Sequence, residues 1–156
     1  RRSSDLGVPA QEFIVPAFLS LLFVAWHFKT SLTARHDLQL VAICLGAGFV
    51  FDTALQLLQL VQFASVNPKP MSCLQPWWMA CLWIAFACTL NHSMAWLGRL
   101  HWLIASILSG AFGYLSYAGA AKLGALQIAP GYAPALALFS FWAVFIPLVQ
   151  KRVMVS

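Results

Sequence analysis

Residues 38–64 read LQLVAICLGAGFVFDTALQLLQLVQFA, an apolar stretch with a single carboxylate near its middle. As a helix, the stretch is long enough to cross the roughly 30 Å hydrocarbon core of a bilayer. Asp52, Gln56 and Gln59 follow one another at i, i+4 and i+7, so they share one helical face. A carboxylate at this depth is expensive unless it is paired, protonated or turned toward a cavity, which makes Asp52 a candidate functional site. The alternative is a buried aspartate that ties helices together by hydrogen bonds.

The composition of the whole chain is that of a membrane protein. Of its 156 residues, 62% are hydrophobic, 14% are aromatic and only 8% are charged, against about 25% charged residues in soluble domains. Only helices or closed barrels satisfy the backbone in lipid, and no alternating strand pattern is present. We therefore predict a single all-α transmembrane bundle over residues 1–156, with no sheet and no internal repeat. Its five transmembrane helices are expected at residues 12–28, 38–64, 74–97, 101–126 and 132–149.

The two ends of the chain bear on topology. Arg1-Arg2-Ser3-Ser4-Asp5 resembles a loop and is not followed by the apolar core of a signal peptide, so we expect a sixth helix upstream. The formal charge of +5 is scattered over separate loops, which indicates contact with lipid headgroups and excludes a nucleic-acid partner. The side of the membrane that holds the C-terminus has the larger share of Lys and Arg, which predicts a cytoplasmic C-terminus. That side holds Lys29, Arg35, Arg99, Lys151 and Arg152.

The third apolar segment ends in a polar cluster that contains Asn91 and His92. Such a cluster can bind a headgroup, shuttle a proton or join helices by hydrogen bonds. Cys81 and Cys88 share a helical face with His92, but no CxxC pair and no third metal ligand is evident. The sequence therefore predicts no metal site, and it identifies neither a catalytic set nor a cofactor.

The fourth apolar segment contains a stripe of small residues at three- and four-residue steps, which favours close packing against another helix. The stripe comprises Ser109, Gly113, Ser116 and Ala120. Tyr114 and Tyr117 flank it with hydroxyl groups that need partners when buried.

The depths of these polar groups indicate which of them can meet. With 1.5 Å of rise per residue from the side of Arg35 and Arg99, Asp52 lies about 21 Å in and Tyr114 about 20 Å in, whereas His92 lies about 8 Å in. We predict that Asp52 faces the bundle interior and bonds Tyr114 or Tyr117, with Gln56 in the same pocket.

Two stretches resemble a known family. They are WIAFACTLNHSMAWL at residues 83–97 and GYLSYAGAAKLGA at residues 113–125, and the glycine followed closely by an aspartate at Gly48 and Asp52 adds to the likeness. The chain resembles domain-of-unknown-function family 2878, a group of bacterial inner-membrane proteins. The resemblance implies a six-helix integral membrane protein of the bacterial inner membrane, with no assigned activity. The family's usual proline near Tyr114 is absent here.

Three hypotheses for function follow. The favoured one is an accessory or binding subunit that holds a membrane lipid, another membrane protein or a second copy of itself, because motifs such as HExxH and GxSxG are absent. The second is a small proton-coupled carrier that uses Asp52. The third is a membrane-embedded lipid-modifying enzyme with His92 as its acid or base.

Overall fold

The computed structural model describes residues 11–31, 33–64, 74–90 and 92–155, which are mostly helical. The helices are α1 (Gln11–Thr30), α2 (Ala34–Leu57), α3 (Trp77–Leu90), α4 (Trp102–Lys122) and α5 (Ala133–Val155), with a 3₁₀ helix at Ala95–Arg99. Strand β1 (Val61–Phe63) follows α2, and strand β2 (Leu126–Ile128) follows α4. The prediction of a mostly helical chain is confirmed. Within it α3 packs against α1 and α2, and α4 packs along α5.

Three of the described helices are long and apolar enough to cross a membrane: Arg35–Leu57, Trp102–Lys122 and Ala133–Lys151. Two further apolar helices are shorter, Ile14–Thr30 and Trp77–Leu90. The 14 residues of α3 extend only about 21 Å, which is short of the roughly 30 Å hydrocarbon core. The third predicted span was to reach residue 97, but α3 ends at Leu90. The expected five spans are thus supported for three helices.

The prediction of no sheet was wrong. β1 and β2 form an antiparallel pair in which Gln62 lies opposite Gln127. The apolar runs from 38 to 64 and from 101 to 126 each continue past the end of a helix into a strand, so hydropathy alone does not locate the boundary. Two residues after the last residue of each helix comes a residue with positive φ, Gln59 at 56° and Gly124 at 77°, a conformation common just past helix C-termini.

The segments α2-β1-α3 and α4-β2-α5 are two copies of one arrangement. Asp52 and Tyr117 are 65 residues apart, and the same spacing relates Gly48 to Gly113 and Gln59 to Gly124. It also relates each residue of β1 to one of β2. We call these segments the first and second repeats, and residues that the spacing relates are counterparts. In α3 and α5 the corresponding spacing is 59, because the first repeat has six more residues between its strand and its tryptophan, and it makes Trp83 the counterpart of Trp142 and Phe86 the counterpart of Phe145.

Ring contacts between the two repeats are reciprocal. Trp83 of α3 and Trp142 of α5 stack with their centroids 5.1 Å apart. Trp83 meets the edge of Phe145 at 6.0 Å, and Trp142 meets the edge of Phe86 at 5.2 Å. The second contact repeats the first with both residues replaced by their counterparts. Such reciprocal contacts are the signature of a two-fold axis. The prediction of no internal repeat was therefore wrong. The two copies share their backbone arrangement, but most of their side chains differ, so the repeat is hidden in the sequence.

Each repeat contains one glycine where its tryptophan crosses the neighbouring helix. A Cβ atom on Gly48 would lie 2.2 Å from Cε2 of Trp83, and one on Gly113 would lie 2.1 Å from Cγ of Trp142. No side chain larger than hydrogen fits at either position while the tryptophan stays in place. Gly113, predicted to pack against a neighbouring helix, lies against Trp142 of α5.

We expect Gly113→Ala to lower stability by about 1–3 kcal/mol, because the new methyl group overpacks the contact with Trp142. Gly119 is the matched control, since it lies in the same helix and a Cβ there meets nothing within 4 Å. Gly119→Ala should be neutral or slightly stabilising. Thermal unfolding of the purified protein in detergent compares the two, and equal melting temperatures would refute the packing argument.

Candidate functional site

Asp52 lies at the centre of a buried hydrogen-bond network. Its carboxylate has no exposed surface and accepts three hydrogen bonds. The Tyr117 hydroxyl donates to Oδ1 at 2.5 Å, and Trp83 Nε1 and Gln75 Nε2 donate to Oδ2 at 2.7 and 3.0 Å. The donors come from α4, α3 and the segment that leads into α3. The predicted inward orientation of Asp52 and its contact with Tyr117 are both present.

The network crosses the interface between the repeats. Asp52 and Tyr117 are counterparts, so their hydrogen bond lies close to the approximate two-fold axis. Gly48 allows the Trp83 ring to approach α2 closely, and this places its Nε1 within reach of Asp52 one turn later. The second repeat has Tyr117 at the position of the acceptor Asp52. Nε1 of Trp142, the counterpart of the Trp83 donor, has no hydrogen-bond partner among the described residues.

The other predicted members of the Asp52 site have different positions. Gln56 is half-buried one turn after Asp52, and Tyr114 is half-buried against the hydrophobic core. Of the two tyrosines proposed as partners, Tyr117 is the one that bonds Asp52. Asn91 lies outside the described residues.

His92 belongs to a second polar cluster, at the opposite end of α2 from the sheet. Its Nε2 lies 3.5 Å from Oδ2 of Asp37, and Nε2 of His27 lies 3.0 Å from the same oxygen. Asp37 and His27 are buried, whereas the side chain of His92 is 47% exposed. Sequence reasoning missed His27 and Asp37. The available signal was the short turn from 29 to 37, which brings the end of α1 beside the start of α2.

An apolar cavity of about 310 Å³ lies between α3, α4 and α5. Trp83 and Tyr117, which both donate to Asp52, form part of its wall. The exposed residues Leu82, Phe112 and Ser116 also line it, so the cavity opens on the outer surface of the bundle. The Asp52 network therefore fixes two side chains of the cavity wall.

The small residues of α4 create this cavity. All four members of the stripe line it. The counterparts of Ser116 and Ala120 in the first repeat are Phe51, which stacks on Phe141 at 3.7 Å, and the buried Leu55. The second repeat lacks these large side chains, so space remains. The prediction that the whole stripe packs against a helix was wrong for Ser116, which is exposed.

Two buried polar atoms in the cavity wall have no hydrogen-bond partner among the described residues. They are Oγ of Ser109 and Nε1 of Trp142. Buried polar groups are nearly always hydrogen-bonded, so such a pair calls for an explanation. Both atoms can donate a hydrogen bond, which suits an oxygen of a bound molecule.

In a comparison with known families, residues 6–148 match the family described as "Protein of unknown function (DUF2878)". The chain belongs to this family. The resemblance recognised in residues 83–97 and 113–125 is thus confirmed. Comparison with curated proteins and with solved structures finds no match. Membership of the DUF2878 family assigns no activity, so the function of this member rests on its geometry.

In this DUF2878 protein, we expect Tyr117→Phe to lower stability by about 1–3 kcal/mol, because a buried carboxylate loses one donor. Tyr114→Phe is the matched control one turn away and should change stability by less than about 0.5 kcal/mol. Asp52→Leu should be the most damaging change, since it leaves buried donors without an acceptor, and Asp52→Asn should be milder. Denaturant or thermal unfolding ranks the four variants. Equal losses for the two tyrosines would contradict the network.

Proposed function

We propose that this protein is an integral membrane binding subunit that holds one acyl chain of a membrane lipid in the cavity between α3, α4 and α5. The observation that carries the proposal is the laterally open apolar cavity, with two buried hydrogen-bond donors in its wall.

The surroundings of the cavity favour lipid as the occupant. The helices α2, α4 and α5 are long enough to span a membrane, and large apolar side chains cover their outer faces. Val50, Ile107 and Leu148 are each more than half exposed, which is the pattern of a surface that faces hydrocarbon. A cavity that opens on this surface is in direct contact with acyl chains. The proposed location is the bacterial inner membrane, with a cytoplasmic C-terminus.

The size and chemistry of the cavity favour a slender apolar ligand. Its volume of about 310 Å³ is at the lower end of the range for ligand pockets, about 300–1,000 Å³. Its lining is almost entirely apolar, apart from a few groups such as Ser109 and Nε1 of Trp142. An acyl chain that carries an ester or carboxyl oxygen satisfies both features, because the chain fills the apolar space and the oxygen accepts a hydrogen bond.

The network behind the wall favours a binding role over the two alternatives. A carrier would place its titrating group where substrate passes at the interface of its repeats, and Asp52 does lie at such an interface. However, Asp52 is engaged by three donors and does not line the cavity. His92, proposed as an acid or base, does not line it either. Asp52 thus acts to hold the wall in place.

The sharpest test converts the second repeat to the side chains of the first. Ser116→Phe combined with Ala120→Leu should fill the cavity as Phe51 and Leu55 fill the equivalent space. We expect native mass spectrometry and lipid extraction to find about one retained lipid per chain in the parent protein and a loss of retained lipid in the double variant. The control is Leu115→Phe, an exposed neighbour outside the cavity, which should retain lipid as the parent does.

Two outcomes would contradict the proposal. One is equal lipid retention in the parent and the cavity-filled variant, with both folded by circular dichroism. The other is a change from dimer to monomer in the variant without any change in retained lipid, which would identify a second protein chain as the occupant.

The role of the unpartnered donors has its own test. Ser109→Ala should weaken lipid retention by roughly 2- to 10-fold, which corresponds to one neutral hydrogen bond of about 0.5–1.5 kcal/mol. Ser116→Ala is the matched control, because that hydroxyl lines the same cavity but already donates to the carbonyl of Phe112. Competition between a fluorescent fatty acid and unlabelled lipid measures both variants. If the two serines behave alike, the cavity binds the hydrocarbon alone.

A further inference from the structure

The cluster of His27, Asp37 and His92 brings together three metal-ligating side chains from separate parts of the fold. His27 lies in α1, Asp37 in α2, and His92 just after α3. One ligand atom from each lies within 4.8 Å of the other two. We propose that this cluster binds a divalent first-row transition metal ion such as Zn²⁺, through two imidazole nitrogens and one carboxylate oxygen.

The distances fit a shared ion. Bonds of about 2.0–2.2 Å from Zn²⁺ to imidazole nitrogen and carboxylate oxygen, in a tetrahedral arrangement, place neighbouring ligand atoms about 3.3–3.6 Å apart. Oδ2 of Asp37 is 3.0 Å from Nε2 of His27 and 3.5 Å from Nε2 of His92. The two imidazole rings are 5.1 Å apart between centroids and inclined at 70°. Small side-chain adjustments bring all three atoms to bonding distance of one ion.

The carboxylate already has the supporting partners that metal ligands require. The hydroxyl of Ser31 donates to Oδ2 of Asp37 at 2.5 Å, and that of Thr33 lies 3.3 Å from the same oxygen. Partners outside the ligand shell orient the ligands of metal sites and raise their affinity. Each carboxylate oxygen has two lone pairs, so Oδ2 can accept from Ser31 and bind a metal together, while the Thr33 hydroxyl, 3.4 Å from Oδ1, can donate to that oxygen.

The exposure of the three ligands leaves one side of the site open. Asp37 is fully buried and His27 nearly so, whereas the side chain of His92 is 47% exposed. Three protein ligands with a fourth position for water are the arrangement of reactive zinc sites, and structural zinc sites use four protein ligands. The proposed ion therefore joins α1, α2 and the end of α3 and presents one coordination position to water or to an anionic oxygen.

The test starts from purified protein that has been stripped with a chelator and titrated with Zn²⁺ or Co²⁺. We expect about one ion per chain, a higher melting temperature on binding, and the visible absorption of tetrahedral Co²⁺. His92→Ala removes a ligand and should weaken Zn²⁺ binding by more than about 10-fold. The His92 side chain is half exposed, so we expect this variant to fold. Asp37→Asn should remove binding.

The control is His101→Asn, another exposed histidine, which caps α4 by accepting a hydrogen bond from the backbone of Leu103. Asparagine also caps helices well, so this variant should bind Zn²⁺ as the parent does. The proposal is overturned if the parent binds no ion under these conditions. It is equally overturned if His92→Ala and His101→Asn bind alike with folded circular dichroism spectra, because the ion would then lie elsewhere.

Discussion

A carboxylate that is completely removed from solvent in the middle of an apolar helix must be surrounded by hydrogen-bond donors, because leaving it unsatisfied costs several kcal/mol. Asp52 meets this requirement with donors from three places, Tyr117, Trp83 and Gln75. Each donor fixes the position of another element relative to α2. Gly48 belongs to the same constraint, since only a glycine lets the Trp83 ring come close enough to bond.

The approximate two-fold relation explains why the cavity lies where it does. Two repeats with equivalent helices would pack alike if their side chains were alike. The first repeat fills its groove with Phe51 and Leu55, and the second has Ser116 and Ala120 at the counterpart positions. With Tyr117 at the position that Asp52 occupies in the first repeat, Nε1 of Trp142 has no acceptor within the described part of the chain. The apolar space and one of its donors thus arise from departures from symmetry.

The sequence predicted the helical bundle, the inward direction of Asp52 and its contact with Tyr117, because a constant rise per residue makes depths along two helices comparable. It missed Gln75, which lies in a link before α3 where helical periodicity carries no information.

The sequence placed the ends of α2 and α4 too late, because apolar residues continue into the strands. A small residue such as Ser116 is compatible both with close helix packing and with an open cavity. The structure distinguishes the two, because Phe51 fills the position in the first repeat that Ser116 leaves open in the second. The sequence also missed His27 and Asp37, which the short turn from 29 to 37 brings together, because their spacing matches no metal-site pattern.

Asp52 and Tyr117 occupy equivalent positions across a two-fold interface, and exchanging the two side chains tests this equivalence. Asp52→Tyr and Tyr117→Asp are made singly and together, and the melting temperature of each variant is measured in detergent. We expect the double variant to recover much of the stability that the single variants lose, because Trp142 can then donate to the relocated carboxylate as Trp83 does now. A double variant whose loss equals the sum of the two single losses would contradict it.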